Sequence, residues 1–230
     1  MVSVTAQQIQ SRGYWDVTVR PEEFLQDRVQ YENLERIITE AVVRFRGWPV
    51  PMIDSRKPFL RGDDWIGQDI EALVVTHLEA WRFWTSGQFN QLRVIGADWR
   101  EHKEATPVPA GFRAVIEVWE IVFFLTEIFE LAARLALSPA GTERMVVEAR
   151  IEGLADRGVI VGQSNRAEFI EPYRSTLPSQ ARSATLDRDV LVANPRLEAA
   201  KMAREFLMRF GWTPSIEQLI EHQRELTEGR

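Results

Sequence analysis

The run from Ala114 to Leu137, AVIEVWEIVFFLTEIFELAARLAL, contains neither glycine nor proline and stops at Ser138-Pro139, with Gly141 just beyond. Proline cannot continue a helix, so the pattern predicts one long helix that begins near Phe112 and ends at about Leu137. At 100° per residue, Arg113, Glu117, Glu120, Glu127, Glu130 and Arg134 fall within an arc of roughly 140°, and the remaining circumference is almost entirely apolar. A helix of this kind has to be buried on most sides. From Val118 it has about the twenty residues a bilayer requires, but Glu120, Glu127, Glu130 and Arg134 are costly in hydrocarbon. It is therefore predicted as the core of a soluble fold. Its charged stripe must then face water, a partner or a site. Arg113 with Glu117 and Glu130 with Arg134 stand four apart, which predicts intrahelical pairs.

A helix so apolar needs something to pack against, and the alternating segments supply it. In Leu78–Glu101 the set Trp81, Phe83 and Thr85 alternates with Ala80, Arg82 and Trp84. After Ser86-Gly87, Phe89, Gln91, Arg93 and Ile95 alternate with Asn90, Leu92 and Val94. That is the period of a half-buried β-hairpin, about 79–85 and 89–96, with Trp81 and Phe83 directed to the long helix. GYWDVTVRP reads as a strand ended by Pro21, VVRFRGWPVP as a second strand, and 65–75 as strand or loop. A helix is expected at 32–41 and a second hairpin from 144–153 and 158–161, with a short strand at Phe169-Ile170. Residues 1–12 read as a loose polar arm.

The C-terminal part is punctuated more clearly. Asn194-Pro195 opens a helix that Gly211 closes, and Thr213-Pro214 opens another, so 194–230 reads as a helical hairpin. Residues 172–189 are rich in Ser, Thr, Arg and Pro. The expected organisation is an α+β main domain over 1–171, an irregular connection over 172–193, and the helical hairpin docked on the main domain or on a partner. The fold class is α+β, an antiparallel or mixed sheet packed against one long buried helix.

Composition narrows the function classes. Apolar residues make up 45% and charged residues 27%, which excludes a disordered chain. A net charge of −6 disfavours a protein devoted to covering phosphate backbones. The chain has no cysteine, so disulfides, thiolate nucleophiles and sulfur-ligated zinc are excluded. Residues 1–20 lack an apolar run behind a basic start, which points to a cytoplasmic protein with no membrane contact. No glycine-rich phosphate loop, G-x-S-x-G or H-E-x-x-H stands anywhere in the sequence.

Three constellations remain. Glu117, Glu120, Glu127 and Glu130 form two E-x-x-E pairs, the type of carboxylate set that can hold a divalent metal; none of the histidines completes the Glu-x-x-His that di-iron bundles use, so a salt-bridged face is the plainer account. His77 and Glu79, two apart on a strand, share one face beside Trp81, the placement a general acid–base pair needs and also that of a hydrogen-bonded structural histidine. Arg20, Arg44, Arg46, Arg82 and Arg93 alternate along the proposed strands among Trp15, Phe45, Trp81 and Trp84. If those strands are neighbours, Arg44, Arg46, Arg82, Trp84 and Arg93 can form a basic-aromatic binding face for phosphates or stacked bases.

The segments GYWDVTVRP, VRFRGWPVP, DWIGQ and EAWRFWTSGQF, within about residues 12–137, resemble an uncharacterised family of bacterial proteins with similar strand motifs followed by an aromatic-rich helix. The resemblance implies a bacterial cytoplasmic protein and assigns no activity and no site residue. Eight tryptophans without a catalytic signature predict a non-enzymatic protein-interaction or sensor module of a larger regulatory or defence assembly. Its expected partner is a protein or a second copy of the chain, and no cofactor is implied. Nucleic-acid binding through the arginine-bearing sheet is the alternative, and a carboxylate-metal enzyme using the helix glutamates is a third reading.

Overall fold

Trp15, Val17 and Val19 alternate with Asp16, Thr18 and Arg20, and this alternation makes a strand buried on one face. In the computed structural model, which describes residues 3–72, 77–99, 108–162 and 167–228, that strand is an interior strand of the main sheet, third from one edge. The chain runs α1 (Val4–Gln10), β1 (Tyr14–Pro21), α2 (Leu34–Ala41), β2 (Leu60–Arg61), β3 (Trp65–Ala72), β4 (His77–Trp84) and β5 (Phe89–Val94). It continues through α3 (Gly96–Trp99), β6 (Ala114–Glu117), α4 (Val118–Ala136), β7 (Arg144–Glu152), β8 (Arg157–Ile160) and β9 (Tyr173–Arg174). β10 (Ser179–Asp187), α5 (Arg188–Ala193), α6 (Pro195–Phe210) and α7 (Ile216–Glu228) complete it. A seven-stranded antiparallel sheet has the order β10-β7-β1-β5-β4-β3-β2, and a second, three-stranded sheet has the order β6-β8-β9. The α+β class is as expected, and α6 and α7 pack together.

Register separates the two faces of the main sheet. Trp15 lies opposite Arg93 and Ile151, Val17 opposite Gln91 and Ala149, and Glu79 opposite Arg93. These residues face α4, whose Phe124 meets Trp15 at a ring separation of 5.1 Å, while Phe206 of α6 meets the same indole at 5.6 Å. Asp16, Thr18, Arg20, Asn90, Arg82 and Glu148 face the other way. The hairpin of β4 and β5 turns at Gly87, whose φ of 82° is a conformation that glycine adopts without strain.

Several local expectations change. Residues 4–10 form helix α1 instead of a loose arm. Ser3 caps it by accepting from the Ala6 amide at 3.1 Å, and its buried Ile9 joins Leu78, Ala80 and Val94 on the outer face of the sheet. Residues 44–49 are a loop rather than a strand, held between a single bridge from Val43 to Val50, because Arg46 turns inward to a carboxylate. The long helix begins at Val118, not Phe112, since Ala114–Glu117 pair with Arg157–Ile160 in parallel. That pairing also takes β8 away from β7, so 144–153 and 158–161 are not a hairpin. Phe169-Ile170 lies in no strand. The expected irregular stretch 172–193 holds β9, α5 and a nine-residue strand, β10, paired with β7 throughout. The last helix opens at Ile216 and not at Pro214, with a reciprocal cap in which the Gln218 amide donates to Ser215 Oγ and the Ser215 amide to Gln218 Oε1.

A Cβ at Gly87 would lie 2.5 Å from the Ala140 carbonyl oxygen, so Gly87→Ala adds a clash to a left-handed φ and is expected to cost about 1–3 kcal/mol. Phe124→Ala opens a cavity between helix and sheet and is expected to cost about 3–5 kcal/mol. Urea unfolding of the two variants measures both losses.

Candidate functional site: a charged cluster beneath the hairpin

The inner face of the hairpin is not uniformly apolar. His77, Glu79, Gln91 and Arg93 stand on it, and α4 carries Glu120 and Glu127 toward it on either side of Phe124. On strands the period of two aligns His77, Glu79 and Trp81; on the helix the spacing 120, 124, 127 aligns the second set. All of these side chains are buried.

Glu79 is the acceptor hub. Its Oε2 receives Gln91 Nε2 at 2.8 Å and makes a close contact with His77 Nε2, and its Oε1 receives the Met52 amide at 2.7 Å. Trp81 Nε1 donates to the Met52 carbonyl at 2.8 Å. Gln68 accepts from the Asp54 amide at 3.0 Å and donates to the carbonyls of Asp54 and Lys57. The loop 51–57 is therefore fastened to the sheet by side chains in place of strand pairing.

Glu127 is neutralised from the 44–49 loop. Arg46 donates Nε to Glu127 Oε1 at 2.9 Å and Nη2 to Oε2, a two-pronged pair, and its guanidinium lies 4.9 Å from the Trp48 ring and 5.7 Å from the Trp119 ring. Arg93 sits over Phe124 at 4.7 Å. Burial lowers its pKa from the ordinary arginine value and Arg46 adds to the effect, against the attraction of Glu120, Glu127 and Glu79. Glu120 Oε1 accepts the Gly96 amide at 2.9 Å. Within this cluster four buried side-chain atoms have no hydrogen-bond partner in the protein: Arg93 Nη1, Arg46 Nη1, Gln91 Oε1 and Glu120 Oε2. Two donors and two acceptors of this kind are ordinarily met by trapped water.

A second buried ion pair ties the sheets together. Arg157 is 0% exposed, and its two Nη atoms reach Asp98 at 2.7 and 2.6 Å; Nη1 also donates to the Val115 carbonyl and Nε to that of Gly153. Asp98 accepts the Gly13 amide as well. Nothing local in the sequence marks Asp98 or Arg157, because the two are brought together only where α3 and β8 both come against β6.

The four glutamates of the two E-x-x-E pairs are engaged separately. Glu117 ends β6 and lies against Gly162, where an added Cβ would meet its side chain. Glu120 takes the Gly96 amide, Glu127 takes Arg46, and Glu130 faces Arg196 at 3.5 Å. Arg134 donates to the Val42 carbonyl instead of to Glu130. Arg113 and Glu117 precede the helix, so the expected intrahelical pairs do not form, and the stripe expected to face water, a partner or a site is buried at Glu120 and Glu127. Among the described residues no group of three or more His, Asp or Glu is placed to hold a metal ion.

The proposed basic face also divides. Arg46 and Arg93 lie inside. Arg82 is on the outer face over the Trp65 ring at 4.8 Å, with Asp69 at 2.9 Å, and Trp84 stands beside it opposite Trp65. Arg20 pairs with Glu148 at 3.1 Å on the same outer side, and Arg44 is exposed in the loop. His102 lies outside the described residues. A groove runs along the outer face past Asp16, Thr18, Glu148, Arg150 and Ser183. Another, of about 310 Å³, lies between Val118, Val161, Phe169, Trp212 and His222.

The chain matches no protein-family model, no curated protein sequence and no solved structure. The likeness of its strand motifs to a bacterial family is thus not carried by a family model. Among the described residues no helix is long and apolar enough to cross a membrane.

Removing Arg46 strands the Glu127 carboxylate in the interior, so Arg46→Ala is expected to cost about 3–5 kcal/mol, whereas Arg46→Met with Glu127→Leu should restore most of the loss. A double-mutant cycle in urea measures it. In the outer groove, burial raises the Asp16 carboxyl above the ordinary aspartate value, Arg150 opposing and Glu152 and Glu148 adding. The folded chain therefore holds this proton more tightly than the unfolded chain, and stability is lost as pH rises through the unfolded and then the folded pKa. Asp16→Asn is expected to raise the urea midpoint at neutral pH and to leave it unchanged in acid, where the aspartic acid is uncharged in both states.

Proposed function

We propose that the protein is a non-enzymatic protein-interaction module whose contact surface surrounds the tip of the β4–β5 hairpin. The observation that carries this reading is the exposure of Phe24 (76%), Leu25 (54%) and Leu137 (68%) on the two segments that flank the tip. The loop carrying Phe24 and Leu25 is hydrogen-bonded to it: Thr85 Oγ1 donates to the Gln26 carbonyl and the Val29 amide to the Thr85 carbonyl. The turn after Leu137 touches Gly87 through the Ala140 carbonyl. Isolated exposed apolar residues are ordinary, but several gathered around one turn support reading it as a contact surface.

The buried cluster supports the same reading. His77 is 4% exposed and Glu79 0%, so the His77–Glu79 pair is directed to the interior and to the loop it fastens. The partner that fits the tip is a separate protein presenting an apolar cluster, with the Glu22–Arg144 ion pair at the rim. In such a role the chain is one component of a larger regulatory or defence assembly.

The test uses the full chain. A partner recovered with it, cross-linked at Phe24 or Leu137 and then purified, should bind the wild type and lose at least about tenfold in affinity to Phe24→Glu with Leu137→Glu, a fold-change of about 1.4 kcal/mol. Unaltered circular dichroism would show that the exposed sites leave the fold intact. Binding indifferent to the double substitution, or salt-dependent retention of oligonucleotides with no protein partner, would overturn the reading.

A further inference from the structure

β10 is the edge of the main sheet, and its free side can be worked out from the hydrogen bonds. The Glu22 amide donates to the Arg144 carbonyl, so Arg144 and every second residue of β7 after it point their backbone groups at β1. Met145, Val147, Ala149 and Ile151 must then bond β10, through their partners Leu186, Ala184, Arg182 and Gln180. The Pro178 carbonyl accepting the Leu154 amide and the Arg188 amide donating to the Glu143 carbonyl show that the even-numbered residues on the β10 side turn to β7 at both ends. Ser179, Ala181, Ser183, Thr185 and Asp187 therefore turn their N–H and C=O groups to the open edge. One of these groups is met by a side chain of its own strand: the Ala181 carbonyl accepts Arg182 Nη1 at 2.6 Å.

Edges of this length are normally shortened, bulged or interrupted by proline. β10 has nine residues, contains no proline, and pairs with β7 without a bulge. Ala181, Ser183, Thr185 and Asp187 are exposed, so the outer face beside the edge is uncovered. We infer that β10 pairs antiparallel with β10 of a second copy of this chain, about a two-fold axis through Ser183, to form one continuous sheet across the dimer.

Charge selects that register. Centred on Ser183, the pairing places Ser179 opposite Asp187, Ala181 opposite Thr185 and Arg182 opposite Ala184, with no like charges facing. A register centred on Arg182 sets two guanidiniums against each other. Only the Ser183 register engages all five outward residues of both copies, for about ten N–H···O bonds. In it the Thr185 amide of the second copy replaces Arg182 at the Ala181 carbonyl. The inference rests on the topology of the sheet and not on the hairpin-tip patch, so either can fail alone.

The absence of cysteine from the chain makes the test clean. Antiparallel hydrogen-bonded pairs stand about 5.5 Å apart at Cα, within the span of a disulfide. Residues 185 of the two copies are displaced by four positions, roughly 14 Å at the strand rise. Under mild oxidation Ser183→Cys should form a covalent dimer at least about tenfold faster than Thr185→Cys. In sedimentation velocity the wild type should run as a dimer and Ser183→Lys as a monomer, and an equal mixture of Ser183→Lys and Ser183→Glu should recover the dimer. A wild type that remains monomeric throughout a concentration series, or equal cross-linking at 183 and 185, would overturn the inference.

Discussion

Helix α4 is the element that everything else accommodates, because it is buried on nearly every side and yet carries glutamate side chains into the interior. Burying Glu127 without a counter-charge would cost several kcal/mol. Arg46 supplies the charge, but only because residues 44–49 leave the strand conformation that their alternation suggests and loop inward, stacking the guanidinium against Trp48 and Trp119. Glu120 is met by the Gly96 amide where the chain leaves β5. The position of the helix thus dictates the path of two connections that never pair in a sheet.

The same logic governs the hairpin above it. Glu79 gathers His77, Gln91 and the Met52 amide, and Trp81 and Gln68 hold the rest of the 51–57 loop. Polar residues on the inner face of a sheet would weaken a purely apolar core, yet here they fasten an irregular segment that has almost no strand pairing of its own. Arg157 and Asp98 repeat the device between the two sheets. With the buried charges committed in this way, the described surface still exposes apolar side chains around the hairpin tip and, at β10, a sheet edge that pairs with no further strand of its own chain.

Legibility in the sequence followed the range of the interaction. The hairpin, β1, α2 and α6 were readable because their signals are local: alternation around Ser86-Gly87, Pro21 closing a strand, Gly211 closing a helix. The pairing of His77 with Glu79 on one face followed from spacing alone. The arginines misled for an equally physical reason. Alternation sorts residues into two sets without saying which set meets the helix, and Arg93 shares its set with Phe89 and Gln91 on the buried side, while Arg82 lies opposite. Ser, Thr and Arg in 172–189 suggested an irregular connection, but an edge strand with one solvated face needs only modest apolar content, and β10 has no more than that.

By itself the sequence determined the class of fold: a long apolar helix interrupted by too many charges for a bilayer, alternating segments to pack against it, and a punctuated helical pair at the end. These follow from periodicity and from what glycine and proline permit. Only the tertiary structure decided which strands are neighbours, that β6 and β8 leave the main sheet, which carboxylate meets which arginine, and which edge stays open. Those outcomes depend on contacts between residues far apart in the chain, such as Arg46 with Glu127 and Asp98 with Arg157, whose partners no local pattern records.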